Sequence, residues 1–104
     1  MVQKQKDRKI VEKGRIYITA TYNNTLVTIT DRKGDPFMVS SSGMNGFSGT
    51  RKSTPYAATI TVQNTVQKAM DNNSLKVASV YIKGIGPGRN ASLKAIKSLG
   101  IEIS

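Results

Sequence analysis

The segment VASVYIKGIGPGRNASLKAIKSLGIEIS, residues 77–104, decides the fold. Val77, Ala78, Val80, Tyr81 and Ile82 form a nearly continuous apolar run, the pattern of an interior strand covered on both faces. Lys83-Gly84-Ile85-Gly86-Pro87-Gly88-Arg89 breaks that run. A helix is then predicted over Asn90 to Leu99, with Leu93, Ile96 and Leu99 inward and Gly100 placed to terminate it. Ile101 to Ser104 can return as a strand, so the chain closes on a β-loop-α-β unit, right-handed by rule.

Upstream, Ser53-Thr54-Pro55 offers a hydroxyl N-cap followed by proline at the first helical position. Ala58, Val62, Val66 and Ala69/Met70 fall on one stripe, Thr59, Gln63 and Gln67 on the polar side, and the helix ends near Asn72-Asn73. Before it, Ile16, Ile18, Ala20 and Tyr22 alternate on one face, and Leu26, Val27 and Ile29 follow the pair Asn23-Asn24. That pattern is a β-hairpin, with asparagine expected to tolerate a left-handed turn. A second turn at Asp31 to Pro36 leads to a short strand at Phe37 to Val39, and Ser40 to Gly49 reads as an irregular loop. The expected class is α/β (α+β-like), a single mixed sheet of about five strands packed with two helices. The 104 residues make one domain, with residues 1–14 a basic N-terminal arm and 15–104 the α/β domain. Whether the arm contacts RNA or is merely solvated stays open; its acids and lack of serine argue against a transit peptide.

Sixteen Lys and Arg against six Asp and Glu leave a net charge of +10. A domain this basic needs a polyanion, and nucleic acid is the usual one. A membrane surface would require a basic amphipathic helix, which no segment supplies, and the apolar runs are too short for a span or a signal sequence. With no Cys and no His, the usual zinc sites, imidazole bases and Ser-His-Asp arrangements are excluded. The carboxylates are scattered, and turn chemistry explains Asp31 and Asp35. The chain therefore reads as no enzyme, with no catalytic residue, metal or cofactor; a metal-dependent nuclease is the alternative in another class.

Before the last helix, GIGPGR can cradle phosphate, because small residues admit backbone N–H groups to an anion where the helix N-terminus adds positive potential. It fails as a nucleotide fingerprint, since Arg89 stands where a third glycine is needed. Lys83, Arg89, Lys94 and Lys97 give residues 83–97 a charge of +4 with no acid, favouring a nucleic-acid backbone contact over a plain tight turn. Arg89 opposes the helix dipole, so it is expected to answer an external phosphate, and Arg89→Ala to leave folding intact or slightly improved. Gly43-Met44-Asn45-Gly46 matches a KH loop only out of context, and no strand interleaves aromatics in the RRM manner.

Taken in order, Asn23-Asn24-Thr25, Thr28-Ile29-Thr30-Asp31, Gly46-Phe47, Gly49-Thr50-Arg51-Lys52-Ser53-Thr54-Pro55 and Lys83-Gly84 with Gly86-Pro87-Gly88-Arg89 resemble the family of the eleventh small-subunit ribosomal protein over residues 14–104. The resemblance implies a structural constituent of the small ribosomal subunit that binds small-subunit rRNA on the platform. Its partners would be neighbouring platform proteins and, near the exit site, mRNA, with no membrane. It implies a cytoplasmic, bacterial ribosome, or alternatively a mitochondrial or plastid one; a non-ribosomal RNA-binding module is the runner-up. Arg51, Lys52 and Ser53 match the family's rRNA-contacting loop, and Lys83, Gly84, Gly86, Gly88 and Arg89 its Gly-rich rRNA-contacting turn. Asn24 and Thr25 match its hairpin. Lys94 and Lys97 join them as binding candidates on charge alone. Ser48 stands where relatives usually carry Lys, the first helix is less Ala-rich than usual, and the family's basic C-terminal tail is expected to be absent.

Overall fold

The computed structural model describes residues 10–103, with only the backbone of Thr50, so residues 1–9 of the expected arm lie outside the described residues. Five strands, β1 (Lys13–Ala20), β2 (Thr25–Asp31), β3 (Pro36–Ser41), β4 (Val77–Lys83) and β5 (Glu102–Ile103), form one mixed sheet in the order β3-β2-β1-β4-β5. Two helices, α1 (Pro55–Asn73) and α2 (Arg89–Ser98), pack on each other and on one face of it.

The central strand explains the architecture. Alternation in β1 turns Ile16, Ile18 and Ala20 toward the helices, and all three are buried. Ile16 stands beside Ile29 of antiparallel β2 and Val80 of parallel β4; Ile18 stands beside Val27 and Ile82. Val62, Val66 and Ala69 of α1 and Ala95 and Ile96 of α2 close this core. Burying each large side chain stabilises the fold by about 1.5–3 kcal/mol.

The helix ends follow the sequence signals. Thr54 Oγ1 accepts the Ala57 N–H at 3.1 Å with Pro55 opening α1, and Gly100 takes φ +80 just beyond α2. The buried stripe of α1 also includes Thr61 and Thr65. Their hydroxyls donate to the carbonyls of Ala57 and Thr61, each at 2.7 Å, which satisfies them inside the core. Because Thr61 gives its proton to Ala57, Ser42 is the donor in the buried 3.0 Å Ser42–Thr61 bond, and it ties the loop after β3 to the helix.

Five local expectations change. The helices cover only one face, so β4 is not covered on both: Tyr81 is 47% exposed, and its apolar run reflects ring stacking on the far side. Tyr22 does not continue the inward face of β1 but stands 68% exposed in the hairpin turn. That turn needs no left-handed asparagine. The Thr21 hydroxyl accepts the N–H groups of Asn23 and Asn24, and Asn24 Oδ1 accepts that of Thr25. On α2 the fully buried positions are Ser92, Ala95 and Ile96, while Leu93 and Leu99 are half-buried; small side chains take the face where the helices meet. The Ser40–Gly49 loop includes a 3-10 turn, Gly43–Asn45, and a second follows at Gly49–Ser53.

Ile18→Ala is expected to destabilise the domain by about 2–5 kcal/mol, the range for truncating a core isoleucine. A thermal melt checks this; an unchanged midpoint would mean that β1 is not the centre of the core.

Candidate nucleic-acid interface

Parallel pairing of β1 and β4 carries both strands to the same end of the sheet, where Ala20 and Lys83 finish. The chain enters both helices from that end as well. The hairpin turn 21–24, the loop leading into α1 and the turn 84–88 leading into α2 therefore converge there. Asn24, Arg51, Lys52, Lys83, Gly84 and Arg89 are brought together on it. The described carboxylates, Glu12, Asp31, Asp35, Asp71 and Glu102, all lie toward the opposite end of the sheet and helices. Arg51, Lys83 and Arg89 are exposed, and Lys52 is half-buried with its stem against Gly43.

The glycines of the 84–88 turn face the protein. A Cβ on Gly84, which has φ +95, would collide with the Ala20 carbonyl, and one on Gly86 with that of Thr21. Gly86 donates its N–H to Ala20 O at 2.9 Å, so the turn lies backbone on backbone across the end of β1. At Gly88 a Cβ would stand 2.7 Å from both Ala58 Cβ and Thr25 Oγ1. The expectation that these glycines clear a path for phosphate is thus corrected: Gly86 and Gly88 are buried, and only Gly84 of the three is exposed. The donors left to an anion are the N–H groups of Asn90 and Ala91 in the first turn of α2, which come before Ser92 makes the first intrahelical bond, to Gly88 O at 2.9 Å.

Arg89 also makes contacts within the fold. Its Nη1 donates to Gly84 O at 2.9 Å and Ile82 O at 3.4 Å, so the guanidinium closes the turn that precedes it. Its other N–H groups complete the planar fork. A cation at a helix N-terminus is explained by these carbonyls, without any external anion. Thr25 is fully buried and Ser53 nearly so, which turns both side chains away from solvent; Thr25 Oγ1 has no hydrogen-bond partner. Lys94 lines a groove of about 540 Å³ between α1 and α2 with Pro55, Gln63, Pro87 and Asn90. Lys97 lies in the last turn of α2, where a cation complements the helix dipole.

Sequence reasoning missed the exposed apolar groups at this end. Tyr22 and Ile85 stand 68% and 77% exposed on adjacent turns, and Tyr56 packs edge-on against Phe47 at 5.9 Å. An aromatic beside the Asn-Asn turn was the available signal for Tyr22, but it also fitted the alternation of β1.

Residues 14–104 match the family model of ribosomal protein S11. The chain is 43% identical over 101 residues to small ribosomal subunit protein uS11 of Caldicellulosiruptor saccharolyticus, covering 97% of this chain and 77% of that protein. It is 46% identical over 100 residues to small ribosomal subunit protein uS11c of Marsilea quadrifolia, covering 96% of this chain and 76% of that protein.

Arg89→Ala is now expected to lower stability by about 1 kcal/mol, the scale of a partly solvated hydrogen bond to a carbonyl. A higher melting temperature would restore the purely external role. Thr25→Val should fold at least as well and bind RNA unchanged in filter binding, because the buried hydroxyl has nothing to lose; weaker binding at equal stability would place that hydroxyl against RNA.

Proposed function

The chain belongs to the ribosomal protein S11 family, and from that premise we propose that its loop end is the surface that grips small-subunit rRNA. It is a structural constituent of the small ribosomal subunit, with rRNA and ribosomal proteins as partners. The observation that carries the surface assignment is the convergence of Arg51, Lys52, Lys83 and Arg89 with two helix N-termini, at the end away from the described carboxylates. Phosphates would be held by Arg51, Lys52 and Lys83, by the free edge of Arg89 and by first-turn N–H groups of α2. Asn24 and Gly84 border the same surface. Thr25, Ser53, Gly86 and Gly88 support it from beneath, and Lys94 extends it along the helix groove.

Exposed Tyr22, Ile85 and Tyr56 add stacking or apolar contact with unpaired bases. We place the contact on the platform of the subunit, near the exit site and mRNA path and beside other platform proteins. The role is non-catalytic, supporting assembly and translation. Among the described residues no three carboxylates gather where metal ions could be held.

A tagged chain is expected to comigrate with small subunits on a sucrose gradient. Binding to an rRNA transcript should fall steeply with salt, and Arg51→Ala with Lys52→Ala should lower the slope of log affinity against log salt by about 0.7–0.9 for each phosphate no longer neutralised. An unchanged slope and affinity in that variant would remove the loop end from the interface.

A further inference from the structure

Apart from Lys83, which stands where the two meet, the loop end leaves one large surface of the fold unused, the sheet face turned away from the helices. Both helices pack on the side of Ile16, Ile18, Val27 and Ile29, so the alternate residues of β1 and β4 stand on the other side. There parallel pairing sets Tyr17 beside Tyr81, and their rings stack with centroids 5.0 Å apart and planes 14° from parallel. Arg15, two residues before Tyr17, donates from Nη1 to the Tyr17 hydroxyl at 3.4 Å. Lys83 lies two residues beyond Tyr81 on the same face and is exposed. Cations thus stand before and after an aromatic pair along two neighbouring strands.

A concavity of about 530 Å³ adjoins the pair, lined by Lys13, Arg15, Arg32, Ser79, Tyr81 and Glu102. Its charged groups are three cations and one carboxylate, with Asp31 also acting on Arg15. Hydrogen bonding to Tyr17 holds the Arg15 guanidinium, a permanent cation as any arginine is, above its usual pKa. Toward the β3 edge, Leu26 and Val39 are also exposed on this face.

A stacked aromatic surface beside fixed guanidinium and ammonium groups suits bases with phosphates attached, since every base has a π-face and every linkage a negative charge. We propose that the open sheet face binds a second, unpaired segment of RNA, with a base stacked on the Tyr17–Tyr81 pair and flanking phosphates on Arg15 and Lys83. The charge complementarity of the face selects RNA over a protein neighbour. The inference rests on the rRNA-binding reading above and adds a contact of different chemistry, in which stacking rather than ion release sets the affinity.

The test uses the full chain and an in vitro small-subunit rRNA transcript, with Tyr17→Ala/Tyr81→Ala, Tyr81→Phe, and Arg51→Ala/Lys52→Ala as the loop-end variant. The double tyrosine variant should bind about tenfold more weakly with little change in salt slope, while Tyr81→Phe binds like the parent. In reconstituted subunits, ultraviolet light should link the unaltered chain to rRNA at the peptide containing Tyr17 or Tyr81, a readout that needs no variant to fold. If the tyrosine variant melts like the parent and binds equally well while the loop-end variant is impaired, the second site is overturned and the first stands. If neither variant is impaired, both fall. Crosslinking of those peptides to a ribosomal protein instead of rRNA overturns the sheet-face site alone.

Discussion

The contact of the 84–88 turn with the end of β1 is the constraint on which the rest of the structure depends. Two glycines without room for a Cβ, and the hydrogen bond from Gly86 to Ala20, bring one backbone directly onto another. That contact holds the end of β4 against the hairpin, while Gly88 lets the start of α2 settle on Ala58 of α1 and on Thr25. Three loops distant in sequence become one surface because the turn has no side chains between it and the sheet. Arg89 completes the arrangement from outside by bonding the carbonyls that the turn exposes.

The same geometry separates two jobs that the motif GIGPGR combines in one line of sequence. Its glycines serve packing, and its flanking cations are the groups proposed for recognition. Gly88 and Arg89 are neighbours in the chain, yet one is buried against a threonine and an alanine while the other is exposed. Surface chemistry can vary here only where the underlying turn stays glycine, because a Cβ at Gly84 or Gly86 strikes rigid backbone rather than a movable side chain.

Much of the fold was legible because its signals are local. Alternation around Ile16 and Ile18, the Thr54-Pro55 cap, the Asp31–Pro36 turn and Gly100 each act within a few residues, and each reappears where expected. What escaped depends on partners far along the chain. A hydrophobic run such as Val77–Ile82 does not reveal whether one face or two will be covered, and Tyr81 owes its place to Tyr17 on another strand. Thr25 and Arg89 look like surface polar residues until the tertiary contact shows one sealed beneath Gly88 and the other turned back on its own loop. The cation cluster was readable as charge. Its assembly at one end required the parallel pairing of β1 with β4.

The placement of the described carboxylates has a consequence for how the molecule meets its partner. With Glu12, Asp31, Asp35, Asp71 and Glu102 toward one end and the converging loops at the other, the net charge is unevenly distributed along the strands. In the field of a polyanion such a body experiences a torque as well as a pull. It turns its loop end forward before any atoms touch, because at the other end Lys13, Arg15, Arg32, Lys33 and Lys76 only offset the carboxylates. Orientation is thereby settled during diffusion, at separations within a screening length of roughly 10 Å at 0.1 M salt, and fewer encounters are spent on the wrong face.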